Sequence, residues 1–311
     1  MTLLFVSEVD RADWWQNELA SASPGLEVRA WPDIGDPADI HYVLAWKPRQ
    51  GVLAGLPNLK AIFSLGAGVD HIFADPDLPR SVPVTRIVDA DLTAGMSEYV
   101  LLHTLRHHRN QRAFDQQQRD HVWDMRMGEI RQAWERRVSI LGLGEIGSDA
   151  AVKLSVVGFK VAGWSRSPKA MRGIDCYHGA DGLEVMLGQT DILVCLLPLT
   201  PATTGILNAE TFAAMPRGGC IINAGRGGHL VEEDLIPALD SGQLASATLD
   251  VFATEPLPAD HPFWDHPAVT VTPHNASITD PRSVAAQVAE NIRRHRAGEP
   301  LLNLVDPEAG Y

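Results

Sequence analysis

Arg226, Glu255 and His274 stand in the last third of this 311-residue chain, each inside a short motif: Ile222-Asn223-Ala224-Gly225-Arg226-Gly227, Asp250-Val251-Phe252-Ala253-Thr254-Glu255-Pro256 and Thr272-Pro273-His274-Asn275. A guanidinium is a fixed fork of donors that suits a carboxylate. A histidine steadied by a carboxylate is the usual proton carrier near neutral pH. These three groups are the parts needed to hold a 2-keto acid and protonate its carbonyl oxygen while a hydride reaches the carbon. Upstream, Val138-Ser139-Ile140-Leu141-Gly142-Leu143-Gly144-Glu145-Ile146-Gly147 has the form of a dinucleotide-binding turn. Gly142 allows the tight turn, Gly144 lets backbone amides approach a pyrophosphate, and Gly147 lets the following helix pack closely on the strand. Glu145 and Ile146 lie in that loop and open the helix. The combination points to a nicotinamide-dependent reductase.

The elements that must carry these groups follow from the hydrophobic pattern. Each of the three motifs follows a short apolar run bounded by Gly or Pro, which reads as a buried parallel strand. Ligands in open α/β sheets bind beyond the strand carboxyl ends, so the three side chains are expected to converge on one crevice. Strands are expected at 3–6, 26–31, 42–46, 61–65 and 84–88, with helices between, as a flavodoxin-like sheet. A second sheet opens at Val138 and continues through 160–164, 191–197, 220–224, 247–251 and 269–272. The fold class is therefore α/β, with two doubly wound parallel-sheet domains, the second of the Rossmann type. A long helix is expected from near Asp91 toward Gln116, and a last one over 281–296. His103 and His107, spaced i, i+4, read as a solvated helix face, and no metal site is expected.

Composition narrows the class. With 26 basic and 39 acidic residues the net charge is -13, which argues against nucleic acid or an anionic membrane as partner. A 45% hydrophobic content suffices for two domains with cores. The opening Met1-Thr2-Leu3-Leu4-Phe5-Val6-Ser7-Glu8 lacks the basic start and long apolar stretch of a signal peptide, so a cytoplasmic location is expected. Of the three cysteines, Cys195 and Cys220 fall in strand-like runs and read as buried thiols.

The motifs Gly142-Leu-Gly-Glu-Ile-Gly147, Leu197-Pro198-Leu199-Thr200-Pro201, Asn223-Ala-Gly-Arg226-Gly, Leu249-Asp250-Val-Phe-Ala-Thr-Glu255-Pro256-Leu-Pro and Thr272-Pro-His274 resemble, in order and spacing, the D-isomer-specific 2-hydroxyacid dehydrogenases. Within that family the Trp164-Ser165-Arg166-Ser167 segment, the Trp46-Lys47-Pro48 loop and the closing Gly310-Tyr311 are most similar to its glyoxylate/hydroxypyruvate reductase A branch. The resemblance implies a discontinuous substrate-binding domain, 1–97 with 286–311, and an NADP-binding domain, 98–285. It also implies a homodimer, with a dimerisation arm near 115–137. By the same resemblance Leu197 and Pro198 line the dinucleotide groove, Thr203 lies near the phosphates, Ala224 offers a carbonyl near the nicotinamide, and Asp250 faces the nicotinamide carboxamide. Amides of the Leu65-Gly66-Ala67-Gly68 loop would hold the substrate carboxylate, and Trp46, an aromatic just after a strand, could wall a small substrate pocket.

The expected reaction is NADPH-dependent reduction of glyoxylate, hydroxypyruvate or a similar 2-keto acid to the D-2-hydroxy acid. Arg226 would bind and polarise the substrate, His274 would give the proton, and Glu255 would hold the imidazole and favour its charged form. A NAD enzyme normally places an acidic residue at the end of the second strand. Ser165, Arg166 and Ser167 stand there instead, suiting a 2'-phosphate, so NADP is expected, with NAD possible as a weaker cofactor. Two alternatives share the pattern: a dehydrogenase of the same family with another substrate, and a dinucleotide-sensing interaction module of the corepressor type.

Overall fold

The computed structural model describes residues 1–125, 131–307 and 310; residues 126–130 of the expected dimerisation arm and the closing Tyr311 lie outside these. The chain divides into two compact units, 1–92 with 278–311 and 93–277. The sequence reading sets the junctions at 97/98 and 285/286. Among the described residues no helix is long and apolar enough to cross a membrane.

The first unit holds strands β1 (Thr2–Val6), β2 (Glu27–Ala30), β3 (Ile40–Ala45), β4 (Ala61–Ser64) and β5 (Val84–Thr85), ordered β2-β1-β3-β4-β5. Every neighbouring pair is parallel. This is the flavodoxin-like order. Successive strand residues point to opposite faces, and both faces are covered. Leu3, Phe5, Tyr42, Leu44 and Phe63 pack with helix α1 (Ala12–Ala22) on one side. Leu4, Val6, Val43 and Ile62 pack with Leu53, Val305 and Ile72 of the short helix α2 (Asp70–Phe73) on the other.

In the second unit the strands are β6 (Arg137–Leu141), β7 (Lys160–Ser165), β8 (Asp175–His178), β9 (Ile192–Cys195), β10 (Gly219–Asn223), β11 (Leu244–Leu249) and β12 (Val269–Val271). Their order is β12-β11-β10-β9-β6-β7-β8, again parallel throughout. The order reverses between β6 and β9, the kind of switch point where α/β sheets bind ligands. Leu193, Cys195 and Ile221 face one core, with helices α6 (Gly179–Leu187), α7 (Ala209–Ala214) and α8 (Glu232–Asp240), and Ile192, Val194 and Ile222 face the other, so both faces are buried.

Several local expectations change. The long helix is two: α3 (Ala90–His108) and α4 (Gln111–Arg119), interrupted where Asn110 takes a left-handed conformation at φ 51°. Edge strand β8 was not anticipated, because Asp175-Cys176-Tyr177-His178 carries no apolar run and pairs on one side only. The reading of His103 and His107 as a solvated face is corrected: both are buried, and the ring of His107 is bonded to the hydroxyls of Ser246 (2.8 Å) and Thr248 (3.0 Å). Cys195 and Cys220 are buried and unpaired, and burial pushes the Cys195 thiol up to about 12.

Candidate active site

The glycine turn follows β6 directly. Gly142 has φ 103°, and a side chain there would meet the backbone of Leu196, 2.8 Å away, so the turn is pressed against the end of β9. At Gly147 a Cβ would lie 1.8 Å from the Gly142 carbonyl oxygen, which is how helix α5 (Glu145–Val157) packs onto the turn. Gly144 differs: it is the N-cap of α5, no side chain caps it, and nothing lies within 4 Å of where its Cβ would be. An uncapped helix N-terminus with open space above it suits an anionic pyrophosphate. Glu145 and Ile146 begin this helix.

At the end of β7 the hydroxyl of Ser165 is buried and donates to the Ser167 carbonyl at 2.8 Å, folding the strand end into a turn. Arg166 and Ser167 are exposed on that turn, so of the three they are the ones presented to solvent. Lys169, which the sequence reading passed over, reaches back to the Leu143 carbonyl in the glycine turn. A lysine four residues past Ser165 in a polar segment was the available signal.

Beyond β9, Leu197 is buried and Pro198 begins a loop drawn tight by Thr203. The Thr203 hydroxyl donates to the Pro198 carbonyl (2.7 Å) and accepts from the Thr200 amide (2.9 Å), so it shapes the loop from within. Ala224 follows β10, buried, its amide bonded to the Cys195 carbonyl.

Arg226 lies just past Ala224, its guanidinium Nη1 bonded to the Gly225 carbonyl at 2.8 Å. The next residue locks this loop against the one that carries Glu255. A Cβ on Gly227 would fall 1.9 Å from the carbonyl carbon and oxygen of Phe252, so only glycine fits. Glu255 then receives the Phe252 amide on Oε1 (3.1 Å) and the His274 ring on Oε2, with Nδ1 at 2.8 Å. His274 is part-exposed and sits at φ 52°, a conformation that only firm anchoring holds for a non-glycine residue.

That anchor is Asp250, at the end of β11. Its backbone carbonyl accepts the His274 amide at 2.9 Å. Its carboxylate accepts the Thr272 hydroxyl (2.7 Å) and the amides of Asn275 and Ala276 (3.0 Å each). The structure thus gives the Asp250 carboxylate to the loop around His274. Tyr99 extends the chain, its hydroxyl 2.7 Å from that of Thr272; burial raises the Tyr99 phenol well above its ordinary value, so it stays protonated. Neither Tyr99 nor Thr272 was picked from sequence, since a tyrosine inside a long helix pattern gives no sign of a polar partner.

The remaining expected residues belong to the first unit. Leu65 is buried at the end of β4, with its carbonyl taken by the Thr279 hydroxyl at 2.9 Å. Gly66 lies under the Trp46 ring, where a Cβ would be 2.8 Å from ring carbon Cζ3, and Ala67 follows, half-buried. Trp46 itself is half-buried and packs on the His71 ring at 4.6 Å between centroids. Trp46, Leu65, Gly66 and Ala67 are therefore one cluster, while Arg226, Glu255, His274 and the dinucleotide loops are gathered at the strand ends of the second unit. Among the described residues no group of three or more His, Cys, Asp or Glu is placed to hold a metal ion.

Comparison with known proteins agrees with this geometry. Residues 101–276 match the family described as D-isomer specific 2-hydroxyacid dehydrogenase, NAD binding domain. The glyoxylate/hydroxypyruvate reductase A of Serratia proteamaculans is 42% identical over 317 residues, covering 100% of both chains. A D-isomer specific 2-hydroxyacid dehydrogenase from Xanthobacter autotrophicus Py2, solved with NADPH and MES, is similar at 48% identity and a TM-score of 0.94, over 100% of this chain and 99% of that one. The NADPH-dependent glyoxylate/hydroxypyruvate reductase of Sinorhizobium meliloti, solved with NADP and sulfate, is 43% identical with a TM-score of 0.93 and covers 100% of each chain. The full-length identity and the loop-held arrangement of Arg226, Glu255 and His274 lead to one conclusion: the chain belongs to the D-isomer specific 2-hydroxyacid dehydrogenase family.

Proposed function

We propose that this protein is an NADPH-dependent reductase of small 2-keto acids of the glyoxylate and hydroxypyruvate type, forming the D-2-hydroxy acid. The observation that carries this is the His274–Glu255 pair at 2.8 Å, set on loops whose backbones hold one another and the Arg226 loop. Arg226 binds the keto acid and polarises its carbonyl. With Nδ1 of His274 bonded to Glu255, Nε2 is the nitrogen that delivers the proton to the carbonyl oxygen. Asp250 keeps His274 in place through its loop. NADPH, when bound, supplies the hydride. The amide groups at the start of α5 suit its pyrophosphate, and Arg166 and Ser167 suit its 2'-phosphate. Relatives solved with NADPH or NADP support that choice over NAD. We assign Trp46, Leu65, Gly66 and Ala67 to substrate binding, a role supported by the seating of Trp46 on Gly66.

We further propose a cytoplasmic homodimer. Support for the dimer comes from the exposed apolar side chains along the expected arm: Val122, Trp123 at 91% exposure, Met125 and Trp134. Sedimentation equilibrium tests the dimer. The activity is tested by initial rates on a panel of about a dozen 2-keto acids with each cofactor, since ratios of kcat/KM measure discrimination directly. Turnover of NADPH with glyoxylate or hydroxypyruvate is expected. Tight NADPH binding without turnover on any keto acid would replace this reading with that of a binding module.

A further inference from the structure

His229 has no role in the reading above, yet its side chain is wholly inaccessible, at 0% exposure, in the middle of the site's loops. It ends the short turn Gly227–His229 that follows Arg226. Ring atom Nδ1 accepts the backbone amide of Arg226 at 3.0 Å, and Nε2 lies 3.3 Å from the Pro198 carbonyl oxygen. A backbone amide only donates and a carbonyl only accepts. The ring is therefore neutral, with its proton on Nε2. Protonating Nδ1 would set two N–H groups against each other in a space closed to solvent.

The surroundings crowd this ring closely. A Cβ on Gly225 would be 2.9 Å from Nδ1, so the ring fills the space beside the residue before Arg226. The backbone on either side is tied to the same neighbouring segment: Gly205 donates to the Gly228 carbonyl (2.9 Å) and Leu207 to that of His229 (2.8 Å). The Pro198 carbonyl that receives Nε2 also receives the Thr203 hydroxyl at 2.7 Å. One imidazole thus joins the Arg226 loop to the Leu197–Pro198 loop, at the point where Thr203 has fixed the latter.

We propose that His229 is a positioning residue for Arg226. A neutral imidazole spans from the Arg226 amide to the Pro198 carbonyl and sets the arginine's backbone relative to the loop assigned to the cofactor groove. This rests on the proposed keto-acid reduction for its kinetic consequence, though not for the ring's bonding. The residue touches neither substrate nor cofactor in this role; it acts through Arg226. Its sequence signal is a histidine three residues after the arginine in Arg226-Gly227-Gly228-His229.

The test uses the full-length protein with NADPH and glyoxylate as probes. Asparagine places a side-chain oxygen near the position of Nδ1, whereas leucine keeps bulk without an acceptor. His229→Leu is expected to lower kcat/KM for glyoxylate by about tenfold to a hundredfold, because small displacements of a clamping residue are costly to turnover. The dissociation constant for NADPH should change far less, and His229→Asn should recover most of the loss. Unchanged glyoxylate kinetics in His229→Leu, or a proportional loss of NADPH affinity in both variants, would overturn the proposal. If His229→Leu does not fold, nitrogen-15 spectra of the wild-type ring decide: protonated Nε2 and bare Nδ1 from pH 6 to 9 support it, and the other tautomer or a titrating ring overturns it. Absence of wild-type turnover on every keto acid would instead remove the proposed reaction, leaving the tautomer result to judge the bonding alone.

Discussion

Acid should weaken the second unit through His107. This histidine is on α3 with both ring nitrogens bonded to hydroxyls. Its pKa is pushed down from 6.5 to about 3, first by burial and then by the neighbouring His103, Arg112, Arg106 and Arg136. The unfolded chain takes up a proton on this ring below about pH 6.5, and the folded chain does not until about pH 3. The stabilisation is thus complete above 6.5 and is lost as the pH falls toward 3. At pH 5 the ring is protonated in the unfolded chain and neutral in the folded one, which is worth roughly 2 kcal/mol. His103, lowered to about 4 by burial and then by the charge of Arg106, acts in the same direction, so the His107 share must be isolated by substitution. Native-state hydrogen exchange of the β10 and β11 amides at pH 8 and pH 5 reads the second unit by itself. Between those conditions the wild type should lose about 2 kcal/mol more opening free energy than His107→Gln, whatever that variant costs at pH 8. Equal pH slopes in the two proteins would refute the reasoning, because the ring would then not be held neutral by its surroundings.

Other expectations concern the site. Arg226→Lys keeps the charge but loses the planar fork, and kcat/KM for the keto acid should fall at least about a hundredfold, near 3 kcal/mol of transition-state binding; near-normal kinetics would remove Arg226 from the site. Gly227→Ala puts a methyl 1.9 Å from the Phe252 carbonyl, so melting temperature and keto-acid turnover should both drop, and a fully stable, active variant would show that the two loops are not in contact. Ser165→Asp with Arg166→Ala should reverse or abolish the preference for NADPH over NADH, mainly through the Michaelis constant for the cofactor; equal efficiency of both cofactors in the wild type would sink the assignment of this turn.

The strands were legible wherever burial on both faces forces a continuous apolar run, as in Ile192–Cys195 and Gly219–Asn223. Edge strand β8 was not, since one open side leaves its composition unconstrained. The break between α3 and α4 had a local signal in Asn110, since asparagine is one of the few residues other than glycine that takes the left-handed backbone readily, but the polar pattern around it continues without an apolar gap. Arg226, Glu255 and His274 could be named from their place after strands, and the structure adds which groups hold them. Asp250, Thr203 and Ser165 show why such details escape a linear reading. Each is a small polar residue whose hydrogen bonds close its own loop, and nothing in its spacing says whether its polar atoms turn inward or toward a ligand. A related cause lies behind His103 and His107: a polar i, i+4 pair signals a wet face, whereas here His103 packs on the Tyr99 ring and His107 meets the hydroxyls of Ser246 and Thr248, which lie far along the chain.

The first unit draws its core from both ends of the chain. Val284, Ala285, Val288 and Ile292 of the last helix, α9 (Pro281–Ala297), pack with Leu3, Phe5, Trp15 and Leu19. During synthesis, which proceeds at about 5–20 residues per second, Leu3 and Phe5 leave the ribosome well before these partners exist. A nascent chain halted near residue 277 contains every strand of both sheets but lacks the helix that covers one face of the first. The second unit can complete its sheet while the first still waits with apolar surface uncovered. A stop codon or a proteolytic cut ahead of α9 therefore strikes the amino-terminal fold rather than the residues beside it, and makes that early segment the natural client of a chaperone.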